Sequence, residues 1–113
     1  MSTWTQLSIY TSAASRWGAQ PLYGAVLANA LDRGLYNAMT FGAMAGFGPQ
    51  HAIPTANQMA EASDLPIEVR IVDQTPAIEA FLATEQAMLQ NCIVTMQEVE
   101  LVLYPHQSSG AEM

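Results

Sequence analysis

Apolar and polar positions alternate, then recur every three or four residues, then alternate again, and these changes of period divide the chain into elements. Thr5, Leu7, Ile9 and Thr11 alternate with Trp4, Gln6, Ser8 and Tyr10, which predicts a first strand with one face more apolar than the other. Residues 12–20 are small or polar, include Gly18 and read as a connection. Pro21 stands where a first helical residue is favoured, and Leu22/Tyr23, Val26/Leu27 and Ala30/Leu31 recur every four residues as one helix face. Gly34 follows as the residue that ends this helix.

From 36 to 46 the composition turns to Met, Ala, Phe, Thr and Gly, with Met39, Phe41, Ala43 and Ala45 on one side of an expected strand. Its small residues imply close packing against another backbone. Ile67, Val69 and Ile71 alternate with Glu68 and Arg70, the pattern of a half-buried antiparallel strand over 67–73. Thr75 and Pro76 open a second helix that carries Ile78, Phe81, Leu82, Met88 and Leu89 on one stripe. Val99, Leu101 and Leu103 then alternate with Glu98, Glu100, Val102 and Tyr104 in a last strand. The tail over 105–113 has little to bury and is expected to fray.

The order strand, helix, strand, strand, helix, strand predicts an α+β fold: ferredoxin-like βαββαβ, with a four-stranded antiparallel sheet and two helices on one face. The other face stays uncovered, and Met44, Val72 and Val102 are its candidates for meeting other subunits. The 113 residues fit a single domain over 1–113, with a core over 5–104. A chain this short buries only about two-thirds of its unfolded surface, so self-association is an attractive way to complete a core.

Half of the residues are apolar, but no uninterrupted run approaches the roughly 20 residues of a membrane span. The first residues carry no basic stretch and apolar block of a signal peptide, so a cytoplasmic location without direct membrane insertion is expected. A single cysteine, Cys92, excludes an internal disulfide framework. Only Arg16, Arg33 and Arg70 stand against ten acidic residues, there is no lysine, and the net charge is −7. A nucleic-acid partner is thereby excluded, because phosphate neutralisation needs several cations on one surface. Arg33 suits a helix C-terminus, and Arg70 beside Glu68 suits a cross-strand ion pair.

Three features hold candidate chemistry. Gly46-Phe47-Gly48 at a strand end lets the backbone approach a ligand without an intervening Cβ. Arg16 in the polar connection is a cation able to meet a phosphate or carboxylate across a subunit boundary. His51, His106, Cys92 and seven methionines suggest soft-metal ligands, although the histidines have no partner at ligand spacing and most methionines fall at core-like positions, where methionine is a filler. No nucleophile stands beside a recognisable base, so no catalytic step is expected. Asp64 reads as part of a turn, Asp73 as the cap of the second helix, and Glu85 as a carboxylate at the core edge or at a subunit contact.

Gly46-Phe47-Gly48 with Gln50, the returning Leu65-Pro66 and the strand from Ile67 to Val72 resemble the PII signalling proteins. Pro21-Leu22-Tyr23, Thr55-Ala56, Asp64-Leu65-Pro66, Ile71-Val72-Asp73, Val94-Thr95 and Glu98-Val99 complete, in order and spacing, a resemblance to a bacterial PII-like family, domain of unknown function one hundred and ninety. The resemblance implies a homotrimer whose inter-subunit clefts hold a small effector, with an adenine nucleotide as the candidate and no required cofactor. It also implies a loop over 49–63 that acts on a partner such as a membrane transporter, channel or enzyme. Carried over by position, Thr40, Gly46, Phe47, Gly48 and Gln50, with Arg16, form the ligand site, and Pro49, His51, Thr55 and Asn57 belong to the partner-binding loop. The more distant likeness to the trimeric copper-tolerance protein CutA implies a metal-binding alternative, and a ligand-free trimeric interaction module is another.

The departures from the PII pattern concern charge. Pro49 and Ala45 stand where PII proteins carry an arginine and a lysine, and Ala52, Pro54 and Asn57 replace loop positions that are often basic or histidine in the nearer family. The glycine-rich segment before the last strand shrinks to Asn91-Cys92-Ile93-Val94. Each lost charge-assisted contact is worth about 1.5 to 3 kcal/mol, which points away from tight ATP binding. A monophosphate, a cyclic nucleotide, a neutral metabolite or no nucleotide remain open.

Overall fold

The alternation at the start of the chain becomes the central strand of a sheet. The computed structural model describes residues 3–46, 65–103 and 105. Its elements in chain order are β1 (Trp4–Ser12), β2 (Arg16–Trp17), β3 (Gln20–Pro21), α1 (Leu22–Asp32), β4 (Asn37–Gly42), β5 (Pro66–Gln74), α2 (Thr75–Thr84), α3 (Gln86–Leu89) and β6 (Ile93–Val99). The four long strands pair antiparallel in the order β4-β5-β1-β6, the ferredoxin-like arrangement. Leu7 lies opposite Ile71 and Ile9 opposite Val69, all four without exposed surface. Against them pack Leu22, Ala25 and Val26 of α1 and Ile78 and Phe81 of α2, so both helices cover one face. Each fully buried aliphatic contributes roughly 1.5–3 kcal/mol, and a one-residue slip would turn the whole set outward, so burial fixes the register.

The boundaries differ from the expected ones for local reasons. Helix α1 starts at Leu22, since Pro21 is extended (φ −61°, ψ 140°) and pairs with Arg16 in the β2–β3 hairpin. The connection over 12–20 therefore contains a hairpin, with Gly18 at φ +64° as the first of two turn residues. At the other end, Gly34 (φ +74°) donates to the Leu31 carbonyl and Leu35 to that of Ala30, at 3.0 and 3.1 Å. This pair of bonds is a Schellman motif, as Gly34 implied. Leu31 leaves the expected apolar face and is 79% exposed.

Strand β4 stops at Gly42 rather than 46, because β5 begins at Pro66 and only one further bond, from Ala43 N–H to the Pro66 carbonyl at 2.9 Å, extends the ladder. The last strand is displaced towards the N-terminus. It occupies Ile93–Val99, and Val99 already faces Trp4 at the start of β1, so residues 100–103 have no partner strand among the described residues. The second helix breaks at Glu85, whose carboxylate accepts from Asn29 Nδ2 at 3.0 Å and so ties the break to α1 within the protomer. Arg33, at the end of α1, donates to Thr84 Oγ1 at 3.1 Å. Asp73 does not cap α2: Gln74 holds that position, and the Asp73 carboxylate accepts from the backbone N–H of Tyr36 at 2.9 Å and of Gln74 at 2.6 Å. Asp64 lies outside the described residues.

The uncovered sheet face is apolar, though not where expected. Val72 lies on it, but Met44 and Val102 lie beyond the strands, and its exposed large side chains are Tyr10, Met39, Phe41 and Ile93. The core-filler reading of the methionines holds for Met88, whereas Met39, Met44 and Met96 are exposed. No helix among the described residues is long and apolar enough to cross a membrane.

Candidate functional site

Among the described residues two clefts open on opposite sides of β1, because Tyr10 and Thr11 point to opposite faces of that strand. The first, about 260 Å³, lies between the β2–β3 hairpin and the connection from α3 to β6. Thr11, Ser15, Arg16, Trp17, Asn91 and Cys92 line it, with Leu22 and Met88 as apolar wall. Gly18 permits the tight turn that brings Arg16 and Trp17 to this rim, and Arg16 donates to the Ala19 carbonyl of the same turn. Burial pushes the Cys92 thiol up, against an opposing hydrogen bond from Thr11, so the thiol stays protonated at neutral pH.

The second cleft, about 240 Å³, sits on the uncovered face where β4 and β5 part, lined by Tyr10, Phe41, Gly42, Ala43, Pro66 and Glu68. Beside it Arg70 makes two bonds to Glu68, Nε to Oε2 at 3.1 Å and a terminal nitrogen to Oε1 at 3.2 Å. Ser8 on β1 donates to the same carboxylate at 2.9 Å, and the Arg70 guanidinium lies 4.5 Å over the Phe41 ring. The ion pair thus runs along one strand rather than across two, and the cross-strand partners are Ser8 and Phe41.

The Arg70 hydrogen bond, with further help from Ser8, holds the Glu68 carboxyl below the usual carboxylate range. A depressed folded-state pKa contributes stability that is present above the unfolded value, about 4.3, and is lost as pH falls through the folded value. Wild-type stability should therefore drop as pH is lowered from neutrality through 4, and Glu68→Gln should flatten part of that drop in urea titrations run at several pH values. The effect is small, because water reaches Arg70 and screens the pair. An identical slope in wild type and variant would contradict this account.

Of the residues singled out in the sequence, Thr40 lies on β4 opposite Val69. Its hydroxyl oxygen is buried and has no hydrogen-bond partner among the described residues. Gly46 has φ +149°, a conformation side-chain-bearing residues rarely adopt, and the Pro66 ring lies 3.6 Å from where its Cβ would stand. Phe47, Gly48, Pro49, Gln50, His51, Thr55 and Asn57 lie outside the described residues, as does His106. Arg16 lines the first cleft, while Thr40 and Gly46 line neither. Among the described residues no three His, Cys, Asp or Glu side chains converge on a metal position. Sequence reasoning missed the hairpin that presents Arg16 and the Ser8–Glu68–Arg70–Phe41 cluster; the Gly-x pair at Gly18 was the available signal for the hairpin.

Comparison with known proteins places the fold. The family model DUF190, Uncharacterized ACR, COG1993, matches residues 4–101. A UPF0166 protein of Aquifex aeolicus (strain VF5) is 32% identical over 96 residues, which span 85% of this chain and 90% of that relative. Among solved structures the chain is similar to CPII, a nitrogen regulatory PII-like protein from Thiomonas intermedia K12, in its form bound to ADP, AMP and bicarbonate. The TM-score there is 0.63 at 13% identity, over 88% of each chain. The apo form of CPII gives a TM-score of 0.58 at 12% identity, over 88% of this chain and 91% of that one. At these identities the likeness to CPII is one of fold.

Proposed function

The chain belongs to the DUF190 family, and from that premise we propose that it is a PII-like, cytoplasmic regulator without a catalytic step of its own. Its effector is a small molecule, with an adenine nucleotide as first candidate, held in clefts completed between the subunits of a homotrimer. Effector binding repositions the loop over 49–63, which then presents or withdraws a surface for a partner such as a transporter, channel or enzyme. The shift in loop population is limited by the effector's differential affinity for the two loop states.

The observation that carries this reading is the loop root. The β4–β5 ladder ends at Gly42 and Ile67, and the chain leaves it through Gly46 in a glycine-favouring conformation beside an open cleft. Solved CPII, of the same fold, is bound to ADP, AMP and bicarbonate. Self-association is supported by the exposed Tyr10, Met39, Phe41 and Ile93 on the uncovered face, and by two sheet edges, β4 and β6, that have no partner strand among the described residues.

Calorimetric titration of the full chain with AMP, ADP, ATP and cyclic AMP, with and without bicarbonate, alongside light scattering for oligomeric state, tests the proposal. The expected result is a trimer with a saturable response to at least one nucleotide, abolished by Gly48→Glu. A clean trimer silent to every nucleotide would make the protein a ligand-free interaction module instead.

A further inference from the structure

We infer that the cleft between the β2–β3 hairpin and the α3–β6 connection is an oxyanion subsite, built to receive one carboxylate, bicarbonate or single phosphate group on Arg16 rather than a polyphosphate chain. The inference rests on the effector-binding reading and narrows its chemistry. The chain carries −7, yet among the described residues no carboxylate lines this cleft, and Arg16 is its one charged lining residue. A locally cationic pocket on an acidic protein selects an anion.

The other two cations lie away from this cleft. Arg70 is held by both oxygens of Glu68, and Arg33 bonds Thr84 at the opposite end of α1. Arg16 uses a terminal nitrogen on the Ala19 carbonyl, and a guanidinium has five N–H donors, so others are left for a ligand at the cleft that Arg16 lines. That bond to its own turn also holds the side chain in place before a ligand arrives, which lowers the ordering cost of binding.

The remaining walls suit one small charged group attached to a neutral body. Ser15, whose hydroxyl is shared with Ser12 at 2.9 Å, and the amide of Asn91 offer neutral hydrogen bonds, while Trp17, Leu22 and Met88 offer apolar contact. Cys92 stays a neutral thiol and adds no repulsion. The volume, about 260 Å³, lies just under the range of about 300–1,000 Å³ for drug-sized ligands, which fits a small anion or the charged end of a nucleotide. A second or third phosphate would find no further cation among the described residues that line the cleft. The cleft on the uncovered face offers none, since its charged lining residue is the ionised Glu68.

Calorimetry and amide-shift NMR on the full chain, with AMP, ADP, ATP, bicarbonate and acetate at matched ionic strength, read this out. AMP, ADP and ATP should bind within about threefold of one another. Arg16→Gln should weaken AMP or bicarbonate by about tenfold or more, Arg16→Lys less, and Arg33→Gln not at all. The signals that move should include Asn91, Cys92 and the Trp17 indole. Arg16 is exposed, so an unchanged melting curve for Arg16→Gln will exclude misfolding as the cause.

ATP binding about thirtyfold or more tighter than AMP would overturn the subsite. So would nucleotide binding that Arg16→Gln leaves untouched, although the nucleotide reading would then survive. Arg16-dependent binding of bicarbonate or acetate with silence towards nucleotides would support the subsite and remove the nucleotide. Silence towards all five probes would remove both.

Discussion

Phe81→Ala is expected to lower the unfolding free energy by about 3–5 kcal/mol. Phe81 is the largest fully buried side chain and comes from α2, whose other fully buried residue is Ile78, so its ring supplies much of what attaches that helix to the sheet. Truncation removes the transfer free energy of the ring and leaves a cavity in a core whose sheet side, with Leu7, Ile9, Val69 and Ile71, is hydrogen-bonded and collapses poorly. A domain of this size commonly has 5–15 kcal/mol in total, so the variant should fall close to the limit of folding. Urea denaturation read by circular dichroism measures the loss. Phe41→Ala is the matched control: its ring is 40% exposed and rests on Arg70, so it should cost far less. Equal losses at the two sites would mean that the helix-covered face is not the core.

Ala25→Leu is expected to destabilise by about 1–3 kcal/mol, although it adds apolar surface. Ala25 is 2% exposed and Ala30 1% exposed, and these two methyl groups share the buried face of α1 with the larger Leu22 and Val26. Three more carbon atoms have no space there, so either the side chain leaves its preferred rotamer or the helix lifts and loosens the contacts of Val26. Helix propensity cannot offset this, since alanine and leucine differ by only a few tenths of a kcal/mol. The same denaturation measurement, with Ala28→Leu at an exposed position of α1 as control, separates crowding from any intrinsic effect on the helix. A stabilised Ala25→Leu would reveal an unfilled space between α1 and the sheet.

The sequence was most readable where one face of an element is buried and the other is not. Strands β1 and β5 alternate because Leu7, Ile9, Val69 and Ile71 must face the helices, and Gly34 marks a helix end because only glycine takes that backbone without strain. Strand β6 was misplaced for the complementary reason: most of its residues are exposed, so Ile93 to Val99 carry no clean alternation, while residues 100–103 have no partner strand among the described residues. The helix break escaped notice because Glu85 occupies the place where the apolar stripe continues from Phe81 to Met88. Strands of two residues, as in the hairpin, are shorter than any window over which a period can be counted.

The candidate site was legible in its residue types and not in its grouping. Arg16 stands out in a chain with three cations, but its place at a cleft depends on the tight turn at Gly18 and on the displaced start of β6. The Glu68–Arg70 pair is visible as neighbours of opposite charge two positions apart on one strand face. Its third member, Ser8, arrives only through the β1–β5 register.

Because β1 is hydrogen-bonded on both sides, its two neighbours inherit their alignment from it. An inserted residue within Trp4–Ser12 would exchange the inner and outer side chains against β5 and β6 together, moving Leu7 and Ile9 into water and Ser8 and Tyr10 into the core. An insertion in the hairpin turn between Trp17 and Gln20, or after Val99, would shift no pair of the four-stranded sheet. Length variation among relatives should accordingly collect at those two places, and the number of residues between Trp4 and Ser12 should be the most uniform interval in any set of them.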